Sequence, residues 1–439
     1  MRQKISVEQL KEPIFQDRIE DTLREAERAV DELTHLNARW FTFSKEKLIL
    51  ASESLNFLLK QRFRLFKKGF PSSEIDYLNN IDRQIGEIKK VYLSFYRLKP
   101  GFIHQLRSDY VEIYVWLMLQ PEFSDSKDNV LCGLALLDEM ACEFAKYLVI
   151  QSPIESLDYS LVELIDGGCK LRDQYFELLT LRQSASISLT KRWLRSQIIS
   201  EEIGYCALAC MNAEEGIEWL NSNPHNNEYL FERLLTKHDR GTWFRQCYGI
   251  DAKVISNPRI ITFAKLLELK EFMPFEVTSR LAPIHFVLSG DSILVPNVMA
   301  HVTHLDELDG EIWIKALYVV YGDTLPILPW QVSVEVEWQE ALNRLNEWVG
   351  QDGHYRILPS RLGRELTFES TMSAMMNQAI DDEFRSWMWK QVCLHSRVYI
   401  PWDTMMPLHQ QKWNISRLKT LPSVAERFKL RSGNAAVGY

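Results

Sequence analysis

Asn212-Ala213-Glu214-Glu215-Gly216-Ile217-Glu218-Trp219-Leu220-Asn221-Ser222-Asn223-Pro224 shows how the second half of the chain is written. Asn212 can cap a helix, with the acid Glu215 three positions on. Asn221-Ser222-Asn223-Pro224 is a turn. Through residues 200–439 short amphipathic patterns of this kind follow one another, broken about every 15–20 residues by Gly, Pro, Asn or Asp. No period-two alternation is sustained, so no sizeable sheet is expected. Such a run reads as stacked helix pairs, an architecture that commonly binds proteins.

The patterns upstream are longer. Residues 14–43 carry Ile19, Leu23, Ala26, Val30, Leu33 and Trp40 in one narrow seam with Asn37, suited to pairing with a neighbouring helix. A second helix is expected over 45–68. Arg62, Arg64, Lys67 and Lys68 in its last turn complement the helix dipole, and Gly69 and Pro71 end it. A third starts at Ser72 or Ser73 and repeats Leu78, Ile81, Ile85, Ile88, Tyr92 and Phe95 before Pro100-Gly101. Further helices are expected at about 102–120, 129–150, 156–165, 169–182, 188–211, 226–238, 257–271, 275–289, 292–304, 311–321, 336–349, 368–377, 379–396 and 409–420. Tyr355–Pro359 reads as an extended linker or one minor strand.

The chain has 439 residues, 46% hydrophobic and 25% charged, which is ordinary for a folded protein of two or three domains. The net charge of −8 is unevenly placed: residues 1–110 balance at +4 and the rest at −12. Residues 290–352 hold 11 acids against Lys315 and Arg344. This balance argues against nucleic acid as a partner and for a solvated acidic face open to a basic one. No apolar run is long enough to insert in a membrane, and Met1–Glu8 has no apolar core of a secretory signal. The seven cysteines are odd in number and scattered through apolar patterns, which suits a reducing, cytoplasmic setting.

Catalytic and metal patterns are weak. His301, His304 and Asp306 could share one helix face, but no second ligand pair accompanies them. Histidines closing a helix explain the motif. Cys206 and Cys210 read as core thiols. Gly290-Asp291-Ser292 and Asp166-Gly167-Gly168 lack the strand, lysine and spacing of phosphate-binding loops. Asp381-Asp382-Glu383 sits where acids favour a helix N-terminus. The reading is therefore not an enzyme, with no catalytic residue, cofactor or metal assigned.

The C-terminal part carries a more particular signal. It begins Ser292-Ile293-Leu294-Val295-Pro296-Asn297-Val298-Met299 and continues through Ile312-Trp313-Ile314-Lys315-Ala316-Leu317-Tyr318-Val319-Val320-Tyr321-Gly322, with Trp338 and Trp348 in the next helix. Gly353-His354-Tyr355-Arg356 then leads to Arg361-Leu362-Gly363-Arg364-Glu365-Leu366-Thr367, and the chain closes with Pro401-Trp402-Asp403 and His409-Gln410-Gln411-Lys412-Trp413. This succession over 290–439 resembles an uncharacterised family of bacterial HEAT-like proteins often encoded near type VI secretion components. Where the family has an Arg-rich helix, this chain has Asp381–Trp387. The resemblance implies a cytoplasmic accessory protein of that secretion system.

The expected fold is all-α: a long-helix bundle over 1–125, connecting helices over 126–210, and a HEAT-like α-solenoid over 211–439. The expected function is a non-enzymatic protein-binding adaptor or chaperone that holds an effector or spike component, or an immunity protein that neutralises a co-encoded toxin. Trp387, Trp389, Trp402 and Trp413, four rings within 27 residues, and the acids Asp306, Glu307, Asp309 and Glu311 are the expected partner-binding residues. The sequence leaves the oligomeric state open.

Overall fold

The computed structural model describes residues 38–68, 75–124, 127–223, 227–249, 257–269, 272, 275–351 and 358–430, together with 21, 24, 25 and 28. The chain is all-α. The described strands are only the two-residue β1 (Ser360–Arg361) and β2 (Arg364–Glu365). Two compact units are formed. The first holds residues up to 65, 73–207 and 405–407; the second holds 66–72, 208–404 and 408 onward. Among the described residues no helix is long and apolar enough to cross a membrane.

The first unit starts with α1 (Ala38–Lys68) and α2 (Ile75–Leu98), followed by the short α3 (Gly101–His104), α4 (Leu106–Asp109), α5 (Val111–Met118) and α6 (Lys127–Leu134). Then come α7 (Cys142–Gln151), α8 (Leu157–Asp166), α9 (Arg172–Leu181), α10 (Ile187–Arg195) and α11 (Glu201–Cys210), whose last turn already belongs to the second unit. The expected break between 43 and 45 does not exist, because α1 runs through it. The rest of the 14–43 seam, and the Gly69, Pro71 and Ser72 or Ser73 end signals, lie outside the described residues. On α2 most of the expected stripe faces inward: Leu78, Ile81, Ile85 and Tyr92 are interior, Ile88 and Phe95 are half-buried, and Tyr96, outside the stripe, is buried instead of Phe95. Ser52 and Tyr92 join α1 to α2 through a buried hydroxyl pair at 2.7 Å. Asn129 donates to the Tyr96 hydroxyl at 2.6 Å, and Phe63 packs edge-on to Phe144. Residues beyond 126 thus pack on the first helices. The units divide at 207/208, and 125/126 falls inside the first.

The second unit contains α12 (Glu214–Ser222), α13 (Leu230–Thr236), α14 (Arg240–Tyr248), α15 (Pro258–Leu266), α16 (Ala282–Ser289), α17 (Val295–Val302), α18 (Glu307–Tyr321) and α19 (Trp338–Gly350). The hairpin follows, then α20 (Phe368–Met376), α21 (Asp382–Ser396), α22 (Leu408–Thr420) and α23 (Val424–Leu430). Thr367 caps α20, exchanging hydrogen bonds with Ser370. Asn212 does not cap α12. Ala213 holds that position, and Asn212 is left-handed at φ 59°.

Asn212 belongs to a recurring device. Among the described residues, five helices end on a residue of positive φ that is not glycine: α9 on Gln183, α10 on Gln197, α11 on Asn212, α15 on Glu268 and α21 on Arg397. In each, the following amide reaches back five residues to a helix carbonyl, as from Ile198 to Trp193 at 2.9 Å and from Leu269 to Ala264 at 3.0 Å. This satisfies carbonyls the helix end leaves open. A left-handed residue with a side chain costs about 1–2 kcal/mol, so packing must hold each one. No glycine or proline marks the Gln197 stop, which explains why 188–211 reads as one helix but folds as two.

Candidate functional site

About half of the described residues carrying the family-like signal are interior. Leu362 and Gly363 both have positive φ, 52° and 72°, and close the β1–β2 hairpin. Their amides donate to Val319 and Val320 carbonyls on α18 at 2.9 and 2.8 Å, and Ser360 donates to the Gly290 carbonyl at 3.0 Å. Arg361 is fully buried; it donates to the Val287 carbonyl at 2.7 Å and to Gln391 at 3.1 Å. Gly290 and Gly322 meet this turn so closely that a Cβ on either would touch backbone at 3.0 Å or less. Gly290-Asp291-Ser292 is thus a packing point for the hairpin.

The four expected tryptophans do not form one patch. Trp402 is buried beneath the Arg385 guanidinium, 5.5 Å from the ring centre. Trp387 is half-buried against Phe263 at 5.3 Å, with the Lys390 ammonium 4.3 Å over its ring. Trp389 lies against Phe231 at 5.1 Å and donates from its indole to the Ile400 carbonyl at 3.1 Å. Only Trp413 of the four reaches solvent substantially, at 51% exposure, with Arg417 over its ring. Trp402→Ala should therefore cost about 3–5 kcal/mol in urea unfolding, while Trp413→Ala should stay within about 0.5 kcal/mol. Arg385 explains the closing Gln411 as well. This fully buried guanidinium donates to the Met375 carbonyl at 2.7 Å and to Gln411 at 2.9 Å, and Gln411 donates to the Thr404 carbonyl.

The expected acids are exposed, and they are joined by a second segment. Asp306 caps α18 by accepting from the Asp309 amide at 2.9 Å. Glu307 and Asp309 occupy its first turn, where the dipole favours them. Glu311 binds Lys315 at 2.7 Å, and Lys315 also pairs with Asp381 at 3.2 Å. Burial wins over that ion pair and pushes Asp381 up to about 6; burial likewise pushes Asp382 up to about 6, against Lys67. Across from the start of α18, residues 331–337 form a tight loop. The amides of Val334, Glu335 and Val336 converge on the Gln331 carbonyl, and Ser333 sits at φ 66°. Val334 stands at the tip, 82% exposed; Leu308 on α18 is 83% exposed.

Three contacts tie loop to helix. The Ser333 hydroxyl donates to Glu307. The Trp338 indole donates to the Leu305 carbonyl at 3.1 Å. Gly310 lies so close that a Cβ there would stand 2.3 Å from the Trp338 ring. These contacts hold the two segments together; each carries one exposed apolar side chain, Leu308 and Val334, with the exposed acids Asp306, Glu307, Asp309, Glu335 and Glu337 around them in sequence. Val334, Leu308, Glu335 and Glu337 are not among the sequence-derived site residues. The acid-rich run 290–352 contains all four, but only the Ser333 and Trp338 contacts bring 333–338 to α18.

The remaining chemical candidates have structural surroundings. His301 is half-buried beside Trp313, and His304 is exposed beyond the end of α17. Among the described residues no group of three His, Cys, Asp or Glu could hold a metal ion. Cys206 is buried and Cys210 partly so, and neither is in a disulfide. Asp166 accepts from the Trp193 indole at 2.6 Å and binds Arg192 through both oxygens. No family model matches the chain, and no curated protein or solved structure matches it either.

Proposed function

We propose that this protein is a non-enzymatic, cytoplasmic adaptor or chaperone, and that the face formed by the start of α18 and the 331–337 loop holds a basic protein partner. The observation that carries the reading is the pair Leu308 and Val334, both more than four-fifths exposed, on two segments that the Ser333, Trp338 and Gly310 contacts hold together. Rigid apolar anchors inside a charged rim are what a docking surface offers: the anchors supply affinity, and the rim supplies steering and register. The helix-pair pattern and the resemblance of residues 290–439 to type VI secretion accessory proteins suggest a HEAT-like scaffold and a secreted effector or spike component as cargo. An immunity protein that neutralises a co-encoded toxin is the second reading, favoured by the same carboxylates because toxins acting on nucleic acid are often basic.

The test is capture of partners from native lysate on the immobilised full-length chain, at low and high salt. One stoichiometric basic partner is expected, released by high salt. Leu308→Arg with Val334→Arg should weaken it at least about tenfold while leaving the melting temperature unchanged, since both positions are exposed. Retention of the partner by that double variant would overturn the assignment of this face. A single toxin as partner, with rescue of toxin-expressing cells by co-expression, would select the immunity reading.

A further inference from the structure

A separate cavity lies in the first unit, between α7 and α9, with a volume of about 190 Å³. Its floor is apolar and interior: Leu137, Ala145, Tyr175 and Leu178 are buried. The Tyr175 hydroxyl donates away from the groove to the Leu134 carbonyl at 3.1 Å, so Tyr175 offers no free donor to a guest. An apolar cavity of about 150 Å³ is enough to take up a benzene molecule, whereas sites for drug-sized ligands start at about 300 Å³. The space therefore suits one ring. The polar groups stand at the mouth. Asp138, Glu177 and Lys146 line it and leave one net negative charge, with Gln174 and the Cys142 thiol beside them.

We propose that this groove is a binding site for a small molecule made of a single apolar ring and an amine, the ring on the Leu137–Leu178 floor and the ammonium at Glu177. Glu177 reaches solvent, yet the apolar wall beside it raises its carboxyl; Lys146 pulls it down and Asp173 pushes it up. A cation at this oxygen stabilises the charged carboxylate that burial and Asp173 disfavour. A carboxylate guest would meet Asp138 and Glu177 with Lys146 alone to offset them. Cys142, exposed and free at the first position of α7, supplies a reporter at the mouth.

The test measures alkylation of Cys142 by N-ethylmaleimide in the full-length chain, with Cys247→Ser removing the other exposed thiol. The probes are phenethylamine and, as the charge-reversed control, 3-phenylpropionate. Saturable protection by phenethylamine is expected, with 3-phenylpropionate about fivefold weaker, the size expected of one partly exposed charge contact. Glu177→Gln should abolish the difference between the probes while keeping ring binding. Gln174→Trp, which places a large ring at the mouth from an exposed position, should abolish protection. Ligand-observed NMR of phenethylamine on the same variants separates occupancy from any change in thiol reactivity. Absence of saturable protection, equal protection by the two probes, or protection undiminished in Gln174→Trp would each overturn the proposal.

Discussion

Gly310→Val should lower the stability of the second unit by about 1–3 kcal/mol and free the 331–338 loop from α18. A Cβ at this position would stand 2.3 Å from Cη2 and Cζ2 of Trp338. That ring has little room to yield, because its indole nitrogen is held by the Leu305 carbonyl. The side chain would improve helix propensity by a few tenths of a kcal/mol relative to glycine, too little to offset the clash. Urea unfolding gives the stability change, and hydrogen exchange of the Val334, Glu335 and Val336 amides locates it. Unchanged protection of those amides would show that the loop holds itself and that Trp338 is not its anchor. The variant also separates two sources of partner loss. Leu308→Arg with Val334→Arg removes the anchors and leaves the frame, whereas Gly310→Val removes the frame and leaves the anchors.

Acid should loosen the first unit before the second. His104 is buried against the Tyr114 hydroxyl at 2.8 Å, and burial pushes it down to about 4. His285, buried against Thr262, is also pushed down to about 4, by burial and by Lys265. A histidine whose folded pKa lies below its unfolded value contributes stability that is fully present above about 6.5. That stability is lost as pH falls through the folded value. For His104 the ceiling is about 3 kcal/mol between pH 6.5 and 4. In the second unit the carboxyls run the other way. Asp381 and Asp382, raised to about 6, and Glu232, raised by burial, bind protons more readily in the fold and regain stability over the same interval. Their gain opposes the His285 loss. In the first unit, of these groups, only Glu177 is raised against His104. Hydrogen exchange at pH 7 and pH 4.5 should therefore show greater loss of protection over residues 101–118 than over 282–289. His104→Leu should reduce that difference; equal loss in both segments would reject the account.

The sequence displayed the helices wherever the apolar stripe alone sets them. Leu78, Ile81, Ile85 and Tyr92 are readable because 3.6-residue spacing and burial coincide. It concealed the helix ends, because Gln183, Gln197, Glu268 and Arg397 adopt a backbone region that their residue types do not announce and only surrounding packing imposes. The acids Asp306, Glu307, Asp309 and Glu311 were legible from local charge density. The other half of that face was not, since Val334 becomes exposed through one carbonyl, that of Gln331, accepting three amides. The tryptophans illustrate the converse limit. Four rings within a short stretch signal abundant aromatic area, but whether a ring is an anchor or a core residue depends on its packing partners, and Phe263 and Phe231, which cover Trp387 and Trp389, lie far away in sequence.

The membership of residues 405–407 in the first unit has a consequence for synthesis. Within that unit, Gln151 donates to the Met405 carbonyl at 2.6 Å and also accepts from Arg62, while Met405 and Met406 are buried. A ribosome finishes residue 207 about 200 residues before it delivers these last three. At about 5–20 residues per second, the unit waits some tens of seconds for its final piece. During that interval the second unit is being made, and a nascent chain stopped short of 405 leaves the Gln151 amide without its Met405 acceptor.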